Sequence, residues 1–316
     1  MNKFIGLLAA LLLLQVALSD QYGAWLVAAF SQYNYRHAAL LLGVLLTALL
    51  VEFLTVGWQR STARKFFQPT PSFVRDIAYY AMDLSLFLYS FGVILSFGGI
   101  AEFSAWSRPL VREHLLLDAG FGFLDPWLAA TLSTLLGILI VDFCWYWGHW
   151  LEHKIPALWE LHAYHHSATE MSILTTLRKH PISEPLIRAL IGIPIVALNV
   201  FTAHEYILLV FAEKVLGHLA HSEIRSDWGI VGKVLVSPHF HRVHHSVTEC
   251  HQDKNFGMLL SVWDRLFGTC YRGDVPPTQL GVKDDYYNRH NLLAEMVYGY
   301  FKCCRALAAP LRRWFA

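Results

Sequence analysis

The chain has 316 residues, 55% of them hydrophobic and only 16% charged, with a net charge of +1. With a mean hydropathy of +0.38, that balance points to an integral membrane protein and away from an ordinary soluble domain. Near-neutral charge, without a Lys/Arg-rich run or zinc-finger spacing, argues against a nucleic-acid partner. The five cysteines (Cys144, Cys250, Cys270, Cys303 and Cys304) contain no CxxC pair, so no disulfide framework is read. Cys303 and Cys304, beside a basic C-terminus, are candidates for acylation.

Residues 4–18 are apolar and read as a first membrane helix, with a cleaved signal peptide as the alternative. Residues 38–58 and 77–97 read as clear spans. Pro126 suits the first position of a further helix, ending near Trp147; its length of roughly 33 Å matches a hydrocarbon core. The 59–75 linker carries Arg60, Arg64, Lys65 and Arg75 and no acid, whereas the 98–125 loop has Arg108 and Arg112 among acids. The positive-inside rule then puts 59–75, and the end of the 126–147 span, in the cytoplasm.

Residues 187–212 are apolar again but broken by Pro194, Asn199, Thr202, His204 and Glu205. One crossing there would put the bilayer between the histidine clusters described next, so a re-entrant or interfacial helical hairpin is expected. The fold class is therefore all-α integral membrane: about four transmembrane helices, the hairpin, and a cytosolic, helical, histidine-rich metal cap. Three regions follow: a transmembrane part at 1–140, a part at 141–275 that carries the histidine boxes, and a cytosolic or interfacial tail at 276–316.

Of 17 histidines, 14 lie between His149 and His251. His149 and His153 form HxxxH; His162, His165 and His166 form HxxHH; His241, His244 and His245 form a second HxxHH. Residues three or four apart share a helix face, so each box aims imidazoles at a common point, and imidazole is the commonest metal ligand. Eight candidate ligands are too many for one tetrahedral zinc and about right for two metals. The helix opening at Pro126 is expected to run on past Trp147 into HxxxH, break at Pro156, and hand over to a helix at 157–166 carrying HxxHH. In GHLAHSE, His221 is the favoured additional ligand, with His218 a ligand or a neighbour of one. His239 is a weaker ligand candidate. Spacing does not choose between iron and zinc.

Ligating histidines usually donate their other N–H to a carboxylate or carbonyl. Asp142, Glu152, Glu160, Glu223, Asp253 and Asp264 are candidates for that support, with Asn255 beside them. Arg178 or Lys179, and His180, are candidates to bind substrate, with snorkelling at the interface as the plain alternative for the two cations.

The string DFCWYWGHWLEHKIPALWELHAYHHS resembles the fatty acid hydroxylase and sterol desaturase superfamily of membrane proteins. The likeness continues through TTLRKHP, HLAHSEIR and SPHFHRVHHSVTECHQDKNFGMLLSVWDRLFGT, covering about 140–270. It implies a non-haem di-iron centre facing the cytosol and O2-dependent hydroxylation or desaturation of a lipid; zinc could replace the iron in purified protein. The ligands it carries over are His149, His153, His162, His165, His166, His221, His241, His244 and His245. Glu223 and Trp150 depart from the common pattern and leave the substrate subgroup open. No GxGxxG or HPGG segment occurs, so electrons are expected from a separate ferredoxin, reductase or cytochrome b5-like partner, in a bacterial inner membrane or endoplasmic reticulum. Cleavage of an alkylglycerol ether is an alternative outcome. A metal transporter or non-catalytic zinc protein is the rival from another class. A transporter needs ionisable residues along its spans, and Glu52, Asp83 and Asp142 are sparse.

Overall fold

The computed structural model describes residues 35–84, 106, 124–183, 186–187, 203–284 and 286–314. The expected helix at 4–18, most of the 98–125 loop, residues 85–97 of the expected second span and residues 188–202 of the expected hairpin lie outside them. Every regular element among the described residues is helical; two isolated bridges, Leu235 to Leu260 and Ser246 to Leu280, are the only strand-like pairings there.

Helix α1, Tyr35–Val56, is apolar on both sides. Its window Ala39–Val56, with mean hydropathy 2.5, is the one helix among the described residues found long and apolar enough to cross a membrane. Leu41, Val44, Ala48 and Glu52 form its buried stripe, while Leu42, Leu46, Leu50 and Leu54 face outward. Spacings of three and four place each set on its own side of a helix. The inner stripe packs against α6, Ala203–Ala220. Buried Glu52 accepts hydrogen bonds from the backbone N–H of Thr62 (2.6 Å) and of Glu223 (2.8 Å). One carboxylate thus ties the end of α1 to the chain leaving α6.

A short helix α2, Thr62–Lys65, leads to α3, Pro71–Leu84. Helix α4, Pro126–Lys154, is continuous over 29 residues, about 43 Å at 1.5 Å per residue. That exceeds a hydrocarbon core by roughly two turns, and those last turns carry His149 and His153. At Ile155 the backbone turns extended (φ −93°, ψ 115°), and Pro156 opens α5, Pro156–His166. Proline cannot supply an interior helix N–H but is tolerated at the first turn. Helix α6 continues beyond the expected limit of 212 to Ala220, which sets down His221 one residue past its end. Two short helices follow, α7 (Pro238–His244) and α8 (Val262–Leu266). Ser237 caps α7, its side chain accepting from the N–H of Phe240 at 3.1 Å.

The expected tail contains α9, Leu292–Trp314, which packs along α5. Ala157 and Leu161 of α5 cluster with Ile182 and Cys303, and Tyr164 with Tyr79, Tyr287 and Met296. The amphipathic tail is therefore a wall behind the second histidine box.

A buried ion pair locks α3 to the loop after α5. Arg178 Nε donates to Asp76 Oδ1 at 2.9 Å, and both side chains are sealed from solvent. Asp76 Oδ2 also accepts from Ser172 Oγ (2.9 Å) and Thr175 Oγ1 (2.7 Å), and Arg178 donates to the carbonyl of Ser72 at 2.7 Å. Removing one partner leaves an uncompensated buried charge. Asp76→Ala is expected to cost about 3–5 kcal/mol in denaturant unfolding of the purified protein; a loss below about 1 kcal/mol, the value of a surface pair, would contradict this reading.

Candidate metal centre

The histidines of three boxes and of the α6 exit converge in two groups. In the first, His149, His153, His162, His166 and His244 have ligand atoms within 4.8 Å of one another; in the second, His165, His221, His241 and His245 do. The nine histidines carried over by the resemblance are thereby all placed, five and four. Each HxxHH box serves both groups. On α5 the i and i+4 pair, His162 and His166, goes to the first group and His165 to the second. On α7 the assignment is reversed: His241 and His245 join the second group and His244 the first. The His166 and His245 rings stack at 4.4 Å where the groups meet.

Hydrogen bonding fixes which nitrogen faces inward. Nδ1 lies 2.8 Å from the Phe256 carbonyl in His149, 3.1 Å from that of Arg178 in His165, 2.8 Å from that of Gly217 in His221 and 2.8 Å from that of Lys254 in His244. A carbonyl only accepts, so Nδ1 carries the proton and Nε2 is left with a bare lone pair. In the first group the Nε2 atoms of His149, His153, His162, His166 and His244 are buried without a hydrogen-bond partner. In the second, His165 Nε2 and His221 Nε2 stand 3.2 Å apart with no proton to share, and His241 Nε2 lies 2.9 Å from His221 Nε2. Buried polar atoms without partners are costly. A cation in each group satisfies them, so the residues present fit a pair of metal ions. Neutral nitrogen donors suit iron and zinc alike.

Burial keeps eight of these imidazoles neutral. It pushes His149, His153, His165, His166, His241 and His245 well below the ordinary histidine range, with neighbouring imidazoles adding to the effect. Burial takes His221 and His244 down to about 3. A neutral imidazole is the ligating form.

The supporting groups differ in part from those expected. Glu152 Oε2 lies 3.1 Å from His162 Nδ1, the one carboxylate within hydrogen-bond reach of a ligand among the described residues, and Ser183 hydrogen-bonds its other oxygen. Burial raises the Glu152 carboxyl, but His162, His149 and Ser183 together hold it below its ordinary value. Asp253 is half exposed, pairs with Lys154, and stands 4.0 Å from His153 Nδ1. Asp142, expected beside a ligand, instead accepts from the N–H groups of Leu259 (2.9 Å) and Leu260 (3.0 Å) and from Trp263 Nε1 (2.8 Å). Glu223, likewise expected there, pairs with Lys65 at 2.7 Å and Arg242 at 3.2 Å. Asp142 is thus committed to backbone and indole N–H groups, and Glu223 to two cations.

Carbonyls after the third box do much of the orienting. Asp253 and Asn255 have positive φ, 58° and 61°, a region that asparagine and aspartate tolerate best after glycine. The kinked strap aims the Lys254 and Phe256 carbonyls at His244 and His149. Asn255 pins it, donating to the Phe240 carbonyl at 2.9 Å and accepting from the Tyr271 N–H at 2.8 Å. Asp264 accepts from the N–H of Phe256 and of Gly257, both at 2.7 Å. At Gly257 a Cβ would lie 2.5 Å from the Leu260 carbonyl oxygen, so only glycine fits.

Other expected residues lie elsewhere. His218 belongs to neither group; its Nδ1 contacts the Lys214 carbonyl at 2.6 Å. His239 is also outside both groups. Arg178, expected to bind substrate, is fully buried in the Asp76 pair, where its carbonyl orients His165. His180 and Lys179 do line a cavity of about 40 Å³ that is also lined by His149, His162, His165, His221 and His241 and by Trp145, Thr176, Ile187 and Met258. His180 is spent on structure: Nε2–H donates to the Met296 carbonyl at 2.8 Å, and Nδ1 accepts from the N–H of Ile182 at 3.3 Å. Lys179 Nζ sits 5.6 Å from the Trp145 ring centroid.

Residues 134–269 match the fatty acid hydroxylase family. The chain is 33% identical over 163 residues to alkylglycerol monooxygenase of Danio rerio, covering 50% of this chain and 35% of the relative. It is 30% identical over 159 residues to ornithine lipid hydroxylase OlsE of Rhizobium tropici, covering 50% and 47%. It is 31% identical over 161 residues to fatty acid hydroxylase vlmA of a Lecanicillium species, covering 46% and 42%. The chain thus spans about a third to a half of the length of these relatives. No solved structure matches.

The buried histidines set an acid limit on the metal-free protein. His180 is pushed by burial to about 4, and His221 and His244 to about 3, against about 6.5 unfolded. Between those values the unfolded chain binds more protons, so stability is full above about pH 6.5 and falls as pH drops, by about 1.4 kcal/mol per unit for each such histidine. Denaturant unfolding of chelator-treated protein should show this fall between roughly pH 6.5 and pH 4; a flat profile would contradict burial of neutral imidazoles.

Proposed function

From the match of residues 134–269 to the fatty acid hydroxylase family and the similarity to lipid hydroxylases, we propose that the chain is a membrane-bound, di-iron, O2-dependent oxygenase of lipid C–H bonds. The observation that carries this reading is the pair of histidine groups, from which His149, His162, His165, His221 and His241 line a cavity together with apolar Trp145, Ile187 and Met258. Iron bound there would supply O2 activation, the chemistry for which amino-acid side chains alone have no equivalent.

The chain's own part is position and exclusion of water. Trp145, Ile187 and Met258 offer apolar walls that suit an alkyl chain or ring. Thr176 and Lys179 add polar atoms in the same cavity. Glu152, charged and bonded to His162 Nδ1, fixes that ring and raises its basicity as a ligand. The carbonyls of Arg178, Gly217, Lys254 and Phe256 fix four more rings without adding charge. Substrate reaches the site from the bilayer: α4 is long enough to span it and still project its two histidines beyond. The basic 59–75 linker supports a cytoplasmic metal site, and electrons come from a separate carrier protein.

Similarity to alkylglycerol monooxygenase makes an alkyl ether a substrate of choice to assay beside fatty acyl, sterol and ornithine lipids. The test is iron-loaded protein supplied with O2, a reductase and an electron carrier, with lipid products read by mass spectrometry. A product gaining one oxygen atom, or the aldehyde left by ether cleavage, is expected, and His166→Ala should abolish it. A product short of two hydrogens would favour the desaturase alternative. Absence of oxidised lipid in every class, from protein shown to hold its iron, would contradict the proposal.

A further inference from the structure

At the end of α1 a second cavity opens to solvent between the 59–68 segment and the chain after α6. Arg60, Arg64, Lys65 and Arg225 contribute four cations to its lining, against two acids, Glu170 and Glu223. The acids are already taken. Lys65 pairs with Glu170 at 2.8 Å and with Glu223 at 2.7 Å, and Glu223 also pairs with Arg242. Arg64 bonds only the carbonyl of Gln59 and the amide oxygen of Gln68. Arg60, Arg64 and Arg225 thus have no carboxylate partner among the described residues. Three guanidinium groups converging on one cleft with its acids neutralised repel one another, and a multiply hydrogen-bonding anion relieves that.

The surroundings say which anion. The cleft begins three residues after Val56, the last residue of the apolar window of α1. Leu50, Phe53 and Leu54 are exposed on that helix, and Trp58, Phe66 and Phe67 are exposed beside the cleft. Trp58 and Phe67 pack at 5.4 Å. Aromatic residues of this kind gather at the level of lipid head groups, and basic clusters just beyond a membrane helix attract anionic lipid. A soluble phosphate would use the arginines but not the exposed leucines and aromatics below them.

We propose that this cleft is a docking site for the phosphate head group of an anionic bilayer lipid, with the acyl chains lying along the outer face of α1. Arg60, Arg64 and Arg225 hold the phosphate, and Lys65 fixes the floor through Glu170 and Glu223. Because Glu52 ties the end of α1 to Glu223, two residues past His221, the bound lipid also steadies the exit of α6. The inference rests on α1 lying in a membrane and not on the metal chemistry.

The test is native mass spectrometry of the full-length protein in neutral detergent, offered phosphatidylglycerol, phosphatidylcholine or inorganic phosphate, with bound metal counted in the same spectra. The wild type should retain phosphatidylglycerol over phosphatidylcholine on the order of a hundredfold, and less so in high salt. The Arg60→Gln, Arg64→Gln, Arg225→Gln variant should lose that preference with its metal content unchanged. Should the triple variant lose its metal as well, the exposed single change Arg60→Glu provides the measurement and should cut the preference by about fivefold or more. Equal retention of the two lipids by the wild type, a preference surviving the substitutions, or competition by inorganic phosphate alone would overturn the proposal. None of these readouts depends on lipid oxidation, so an inactive enzyme leaves the result interpretable.

Discussion

The structure depends on the cost of burying unshared nitrogen lone pairs. Nine imidazoles are turned so that Nδ1 is hydrogen-bonded outward where a partner exists and Nε2 points inward. Without a cation, the converging lone pairs repel and lack the hydrogen bonds that water would give them. With one in each group, those lone pairs would gain the partner that burial denies them. Metal binding to such a site is coupled to folding, because the unfolded chain holds no comparable cage.

The rest of the fold supplies those outward partners. Helix α4 projects its last turns beyond the apolar stretch, Pro156 reverses the chain, and α5 returns the second box beside the first. Helix α9 and the Asp76–Arg178 pair brace α5 and the loop that follows it. The strap at 253–264 holds α7 from the other side, with Asp142, Asp264 and Asn255 spent on its backbone. Nearly every charged group near the site is thus committed to geometry. Nitrogen donors that bring no negative charge would leave the charge of a bound cation in place, which would suit the oxygen chemistry proposed above.

The boxes were legible because helix periodicity dictates which histidines can share a face, and the break at Pro156 because proline disfavours a helix interior and suits a helix start. The division within each HxxHH was not legible. The i+3 residue lies on nearly the same face as the i+4 residue, and only the fold, which brings the histidine rings of the two boxes together, sends them to different groups. Asp142, Glu223 and Arg178 show a second gap. A buried charge stands out in a sequence, but its partner can be an imidazole, a backbone N–H or another charge, and only the fold chooses. The carbonyls of Lys254 and Phe256 left no side-chain signature at all; the positive φ at Asp253 and Asn255 that aims them is a backbone property. The packing of α9 on α5 was hidden for a related reason, since an amphipathic helix suits a protein wall as well as a membrane surface.

The metal content of the purified chain tests the central claim most directly. Elemental analysis by plasma mass spectrometry should find two ions per chain, falling to one in His153→Ala, which empties the group of five, and to one in His241→Ala, which empties the group of four. A wild type holding one ion or none, or two variants that both keep two, would contradict the paired centre.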